Sequence, residues 1–449
     1  MNGQEPQLVL GQDHHRLTAD FYDALFVHSL LQHGTIEDVS WSDARQSHKS
    51  VSRSEWHKFL DALCFLGDSK TGGKSVVAIG VAQIAHRFVF YTTTNRKYEV
   101  DALDHLESLL QILESVSIFE EVSTVAAIRL ARCSIERSTQ RVHNYVCRLR
   151  TCITALSARS SPKRLGDGML ASRVTQESLL LTFAWKDSLM QQLFALVTDG
   201  RCHYDVCEDA YLLRYGHQFS ELKQRMQADT ADAWARIRHF VGRLGHWHKA
   251  AASLVSLASK FAFVLRNHGV QPIPQSYHDT QHILRLDENL EELAFRVFPN
   301  FRGSPLGVEL VDRIQGAGEL IDWFRSNVLN PRPHAEAVVL NFFFTQSLQF
   351  ANDDRYIACS KPSCYCCTMY FKYHPGNFQP RPSHGNTWVQ WCQPQSIDMP
   401  LGTKISWSIL RRMANEITAC TQASLTNTTS HRRRRFESTT GISGSGRAF

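Results

Sequence analysis

Four cysteines, Cys359, Cys364, Cys366 and Cys367, crowd into one short stretch, and no other feature restricts the fold of this chain so tightly. Thiols gathered this way are brought to one point by the backbone, either around a metal or across disulfides. The chain opens MNGQEPQLVLGQDHHR, without a basic segment followed by an apolar core, so it does not read as a secretory leader. In a reducing compartment such a cluster is a metal or catalytic site before it is a disulfide framework. The other cysteines (Cys64, Cys133, Cys147, Cys152, Cys202, Cys207, Cys392 and Cys420) are scattered and are expected as free thiols.

About thirty residues upstream of the cluster stands P-H-A-E, Pro333 to Glu336. A catalytic zinc site takes three ligands from protein and leaves the fourth position for water. His334, Cys364 and Cys367 offer one imidazole and two thiolates for Zn2+, and Glu336 stands near enough to shuttle protons without binding the metal. An H-x-E triplet alone carries little weight in a chain with 21 histidines. A C-x-x-C alone carries more, and the two in this order with a strand between them form a specific pattern. Three alternatives stay open. Cys366 could replace Cys367, Cys359 could close the site as a fourth ligand, or the cysteines could serve a purely structural zinc or a redox pair.

The flanking segments predict the local frame. AVVLNFFFTQSLQF after His334 reads as a buried helix, and RYIACS, 355 to 360, as a short strand. SCYCCTMYFKYH reads as a helix carrying the C-x-x-C in its first turn, where backbone N–H groups favour thiolates. NTWVQWCQP reads as a further strand, so helix, strand, helix, strand suits parallel pairing through a crossover. Helix neighbours three or four apart share a face, so Glu336, two from His334, has to reach the site from the edge of the first turn.

The rest of the chain is largely helical. Leu103, Leu106, Leu109, Leu110 and Leu113 make one apolar face at helical spacing. Ser54–Glu55 predicts a helix start, and Ser75–Val81 and Arg87–Thr93 predict two β runs. NHGVQPIPQSYHD near 267–279 and FPNFRGSPLG at 298–307 read as breaks, and GELIDWFRSNVL as a helix. The expected fold class is α+β multidomain. A mostly helical region spans 1–300 with a small β element near 75–93, a zinc domain spans 301–420, and a disordered Arg/Ser/Thr-rich tail spans 421–449.

The H-x-E and C-x-x-C combination is the arrangement of zinc-dependent base deaminases. H-A-E with S-C-Y-C-C, and the strand leading into C-S-K, resembles a fungal branch of the OTT-like predicted deaminases within the cytidine-deaminase-like superfamily. The likeness covers roughly 330 to 395, and LCFLGDSKTGGKSVVAIGV also looks like the N-terminal region of these proteins. The resemblance implies a three-layer α/β/α domain and one Zn2+ held by His334, Cys364 and Cys367. It also implies Glu336 as the acid/base and a nucleobase-containing substrate, free or within single-stranded nucleic acid. Two departures stand out. Ser363 precedes the first motif cysteine where the superfamily often has proline, and no strand hairpin is evident just before H-x-E, which leaves the first strands of the sheet unassigned.

Other features favour ordinary readings. Gly67–Ser75 imitates a phosphate loop, but Asp68 stands where the first glycine belongs and a helix, not a strand, precedes it. His246, His248, Cys202 and His203 are expected as partly buried residues, because i, i+2 spacing splits imidazoles on a helix. Trp388 and Trp391 suit either base stacking or a core. Arg432–Arg435 suits either a nucleic-acid or import patch or a solvated tail. A net charge of +6 permits nucleic acid without demanding it. No apolar stretch is long enough to span a bilayer, so an intracellular protein, cytoplasmic or nuclear, without a membrane partner is expected. The function expected is zinc-dependent hydrolytic deamination, and the alternative is a non-catalytic interaction protein stapled by a structural zinc.

Overall fold

The computed structural model describes residues 5–33, 54–70, 72–73, 75–95, 100–159, 188–216, 219, 231–274, 289–327, 329–394 and 401–426. They are mostly helical, with one small mixed sheet. The chain forms two compact units. One comprises 1–38, 72–104 and 267–446, and the other 39–71, 105–266 and 447–449.

The first unit holds the sheet. β1 (Val77–Ile84) and β2 (Arg87–Thr94) form an antiparallel hairpin in the two predicted β runs. The turn is two residues long, and Ala85 takes the positive φ of 54° that such tight turns require. β3 (His268–Pro272) lies parallel to β2, and β4 (Ala358–Cys359) lies antiparallel to β1, giving the order β3-β2-β1-β4. The first strands of the sheet, unassigned near H-x-E, thus come from far upstream: the Val77 N–H donates to Ser360 Oγ at 3.2 Å across 283 residues.

Three expectations need correction. NHGVQP was read as a loop but supplies β3; an edge strand tolerates its glycine and its terminal proline because only one side of the ladder is needed. NTWVQWCQP is not a strand. Its only ladder-like link is a single bridge between Trp391 and Arg332, and its alternation comes from Val389 and Trp391 turning into the core. The proposed parallel crossover from β4 therefore does not form, since β4 pairs antiparallel with β1. Residues 275–279 of the expected break lie outside the described residues.

Among the described helices of the sheet's unit, four bear on the site: α1 (Glu5–His33), α2 (Ala335–Thr345), α3 (Tyr365–Tyr373) and α4 (Thr403–Thr426). α2 is buried at every position from Ala335 to Phe343, as a run whose one polar member past Glu336 is Asn341 requires. It lies on β1 and β2, with the Phe342 ring 5.0 Å from Tyr91. α1 packs along α4, and Tyr22 Oη on α1 donates to the Trp391 carbonyl at 3.1 Å. α4 runs through Thr426 with Thr421 and Leu425 buried, so the helix continues past the point where a tail was expected. Residues 427–449, with Arg432–Arg435, lie outside the described residues.

The second unit is helical among its described residues. Ser54 caps the helix Glu55–Gly67 by accepting the His57 N–H at 3.1 Å, at the predicted start. Leu106, Leu109, Leu110 and Leu113 are buried on the helix Val100–Ser117, and Leu103 is half-buried. The helices Ala231–Leu244 and His246–Ala258 meet at Gly245, whose hydrogen allows a Cβ-free approach to the Tyr211 backbone. In this unit Asp68 is fully buried and faces the buried Arg141 guanidinium at 3.6 Å. With the helix Glu55–Gly67 ahead of it, the glycine-rich stretch at 67–75 has no strand to present a phosphate, in keeping with the turn reading. Lys74 lies outside the described residues.

Gly80 sets the distance between α2 and the sheet. A Cβ on it would stand 2.5 Å from Phe343 Cε2 and 2.9 Å from Val339 Cγ1. Gly80→Ala is expected to lower stability by about 1–3 kcal/mol through overpacking. Denaturant unfolding measures this; an unchanged midpoint would show that Phe343 swings clear at no cost.

Candidate metal centre

α2 and α3 begin beside each other, and each begins on a motif residue. His334 is the N-cap of α2, with extended φ/ψ of −82° and 148°. Pro331 and Pro333 keep the approach extended, because the residue before a proline is driven out of helical geometry. The His334 carbonyl accepts the Ala337 and Val338 N–H groups at 3.0 and 3.1 Å. His334 is therefore outside the helix and Glu336 inside its first turn. The two need not share a helix face, which removes the conflict of an i, i+2 pair.

Cys364 is likewise the N-cap of α3, and its Sγ accepts the Cys367 N–H at 3.4 Å. His334 Nδ1 lies 3.4 Å from Cys364 Sγ and 3.4 Å from Cys367 Sγ. Among the described residues these three form the one group of metal-capable donors, with all ligand atoms within 4.8 Å of one another. Zinc at about 2.3 Å from sulfur and about 2.0–2.1 Å from nitrogen in a tetrahedron spaces N and S about 3.5 Å apart. The donor set fits zinc on that spacing and on its one-imidazole, two-thiolate chemistry.

The electrostatics suit anionic sulfur at Cys364 and oppose it at Cys367. Burial pushes the Cys364 thiol up, but the hydrogen bond from Cys367 and the charge of the His334 ring outweigh it and hold the thiol at about 6. Burial pulls His334 down, yet the facing Cys364 thiolate raises it to about 8. Cys367 is driven well above the usual thiol range by burial and then by the Cys364 it bonds. Two helix N-termini add positive potential at the same point.

The other two cluster cysteines are not in the donor group. Cys366 is fully buried, and its thiol is pushed up by burial and by the charge of Cys364. Cys359, on β4, turns its Sγ to Glu336 Oε2 at 3.8 Å. Glu336 is itself only 3% exposed, so this contact lies in the interior.

Two supporting residues carried no sequence signal. Asn95, just past β2, accepts the Ala335 N–H at 2.7 Å through Oδ1 and donates to the Gly73 carbonyl at 2.8 Å. It fixes the first free N–H of α2 and with it the start of the H-x-E turn. Arg381 is buried and spans the loop ahead of α3. It donates to Ser363 Oγ at 2.9 Å, to the Lys361 carbonyl at 3.1 Å and to the Cys359 carbonyl at 3.3 Å. Lys361 in turn donates from Nζ to the Gly72 carbonyl. Ser363, standing where proline is common, gives its N–H to the Pro382 carbonyl at 2.8 Å, a bond proline cannot make.

The remaining candidates stand apart from the donor group, and Cys202, expected as partly buried, is exposed. Trp391 is fully buried, 5.8 Å from Tyr370 and 5.9 Å from Phe21, and Trp388 packs half-buried against the same core. His246 meets the Phe65 ring at 4.2 Å and is held down at about 3 by burial and then by neighbouring cations. Neither it, His248, Cys202 nor His203 joins a donor group among the described residues.

A family described as an OTT_1508-like deaminase matches residues 333–395, the span that carries both motifs. No curated protein and no solved structure shows significant similarity to the chain. No described helix is long and apolar enough to cross a membrane.

Zinc content by plasma emission spectroscopy is expected at about one per chain, lost in Cys364→Ser and Cys367→Ser. Binding requires neutral His334 and two thiolates, so zinc uptake releases protons and its affinity falls as pH is lowered. A protein that binds no zinc while folded, or holds it in both variants, would overturn this assignment.

Proposed function

We propose that the segment matching the deaminase family carries out zinc-dependent hydrolytic deamination of a nucleobase. The base is presented as a nucleoside or within single-stranded nucleic acid. On this reading the chain belongs to a fungal branch of the OTT-like deaminases in the cytidine-deaminase-like superfamily. The sheet is the middle layer of an α/β/α sandwich, and the protein works in the cytoplasm or nucleus.

The observation that carries the proposal is the direction of Cys359. A structural zinc is closed by four protein ligands, whereas a catalytic one keeps a position open. Cys359 faces Glu336 while the donor group numbers His334, Cys364 and Cys367. Three donors beside a buried carboxylate support a reacting centre over a staple, which the family match at 333–395 independently favours.

Zinc, when bound, supplies the Lewis acidity that makes water a nucleophile near neutral pH. His334, Cys364 and Cys367 would hold it, with Cys364 already held toward the anion by its neighbours and Cys367 giving up its proton as the metal binds. Glu336 takes the proton that water loses as oxygen attacks the amine-bearing ring carbon. It delivers that proton to the adjacent ring nitrogen, and then carries a proton to the amino group, which leaves as ammonia. The product carries a carbonyl where the amine stood, so one water is consumed for each ammonia released. Burial of Glu336 keeps bulk water from competing for these protons.

The test is ammonia release from cytidine, adenosine and single-stranded oligonucleotides by zinc-loaded protein. Glu336→Gln is expected to bind zinc normally and to lower turnover by about 10²–10⁴-fold. Full zinc occupancy with no turnover of any of these substrates would move the protein to the interaction class.

A further inference from the structure

Glu336 is a buried carboxylate with two thiols against it. Cys359 Sγ donates to Oε2 at 3.8 Å, and the charge of Glu336 adds to the burial that raises the Cys367 thiol. These two neighbours differ in one chemical respect. Cys367 belongs to the donor group, and a thiol that ligates zinc gives up its proton. With zinc in place, Cys359 is the neighbour that still carries an S–H.

Cys359 is held firmly enough to act on its partner. It sits on β4 opposite Ala78 of β1, and its carbonyl accepts from Arg381 Nη2 at 3.3 Å. The next residue continues the ladder, with the Ser360 N–H on the Val77 carbonyl at 2.9 Å. Its side chain is 4% exposed, so water does not compete for the thiol, and a hydrogen bond made in such surroundings is stronger than one at the surface. Glu336 has rotamer freedom about a fixed backbone at the first turn of α2, and a donor anchored on a neighbouring strand removes part of it.

We infer that Cys359 is a positioning residue for Glu336: its thiol donates to Oε2 and keeps the carboxylate turned toward the donor group. The inference rests on the deaminase reading for its kinetic consequence but not for the contact itself. It also gives a role to the fourth cluster cysteine that does not require it to touch metal.

The experiment compares Cys359→Ala, Cys359→Ser and Glu336→Gln with wild type, each loaded with zinc and checked for an unchanged melting temperature. Cys359→Ala is expected to keep one zinc per chain, to lower kcat by about 10–100-fold and to leave KM nearly unchanged. Cys359→Ser, which restores a donor, is expected to recover most of that loss. Independently of turnover, the infrared S–H stretching band isolated by subtracting Cys359→Ser from wild type is expected at the low frequency of a bonded thiol. It should shift upward in Glu336→Gln. Loss of zinc in Cys359→Ala would overturn the inference by making Cys359 a ligand. A band at the free-thiol frequency that ignores Glu336→Gln would overturn it as well. If no nucleoside or oligonucleotide is turned over, the deaminase reading fails while zinc content and the infrared band still decide the contact.

Discussion

Two helices starting at one point is the constraint on which the centre depends. An N-cap residue has to be extended, and its side chain is free to turn toward the helix axis because its backbone has not yet entered the spiral. His334 and Cys364 both occupy that position, so an imidazole and a sulfur face each other at 3.4 Å without distortion of either helix. Cys367 follows one turn into α3 and completes the triangle at the same distance from Nδ1. Both helix N-termini meet at this spot and the Cys367 N–H bonds Cys364 Sγ, so an anion on Cys364 is stabilised by the backbone before any metal arrives.

Neither helix start would hold its place alone. Asn95 ties the α2 start to the hairpin through a 2.7 Å bond to the Ala335 N–H. Arg381 ties the loop before α3 to the carbonyls of Cys359 and Lys361. Gly80 lets the Phe343 and Val339 side chains of α2 lie close against β1. The metal-capable residues are thus few and local, while the groups that aim them come from the distant hairpin and from the loop after α3.

That division explains what was legible in the sequence. The coming together of His334, Cys364 and Cys367 could be read because metal chemistry restricts both residue type and local spacing, and Cys364 with Cys367 sits on one helical turn. The β runs of the hairpin and the buried run of α2 could be read because period and composition are local. The roles of Asn95 and Arg381 could not, since an asparagine after a strand or an arginine in a loop looks the same whether it faces water or a helix start. The segment NTWVQWCQP misled for a related reason. Alternating burial of Val389 and Trp391 imitates a strand, but alternation reports only which side chains point inward, not whether a backbone partner lies alongside. The loop reading of His268–Pro272 failed in the opposite way: glycine and proline mark breaks in a central strand but are harmless at an edge.

The order of the sheet has a consequence for how the chain is made. Synthesis runs from the N-terminus, so β1 and β2 leave the ribosome long before the Cys359 strand that completes β1's other edge. Until then β1 exposes an unsatisfied row of amides on a stretch of almost wholly apolar sequence, the kind of edge that invites pairing with a neighbouring nascent chain. Contacts this distant also close slowly, because the intervening chain has to be gathered first. The early hairpin is therefore the part of this unit that waits longest with an uncovered edge while the rest of the chain is made.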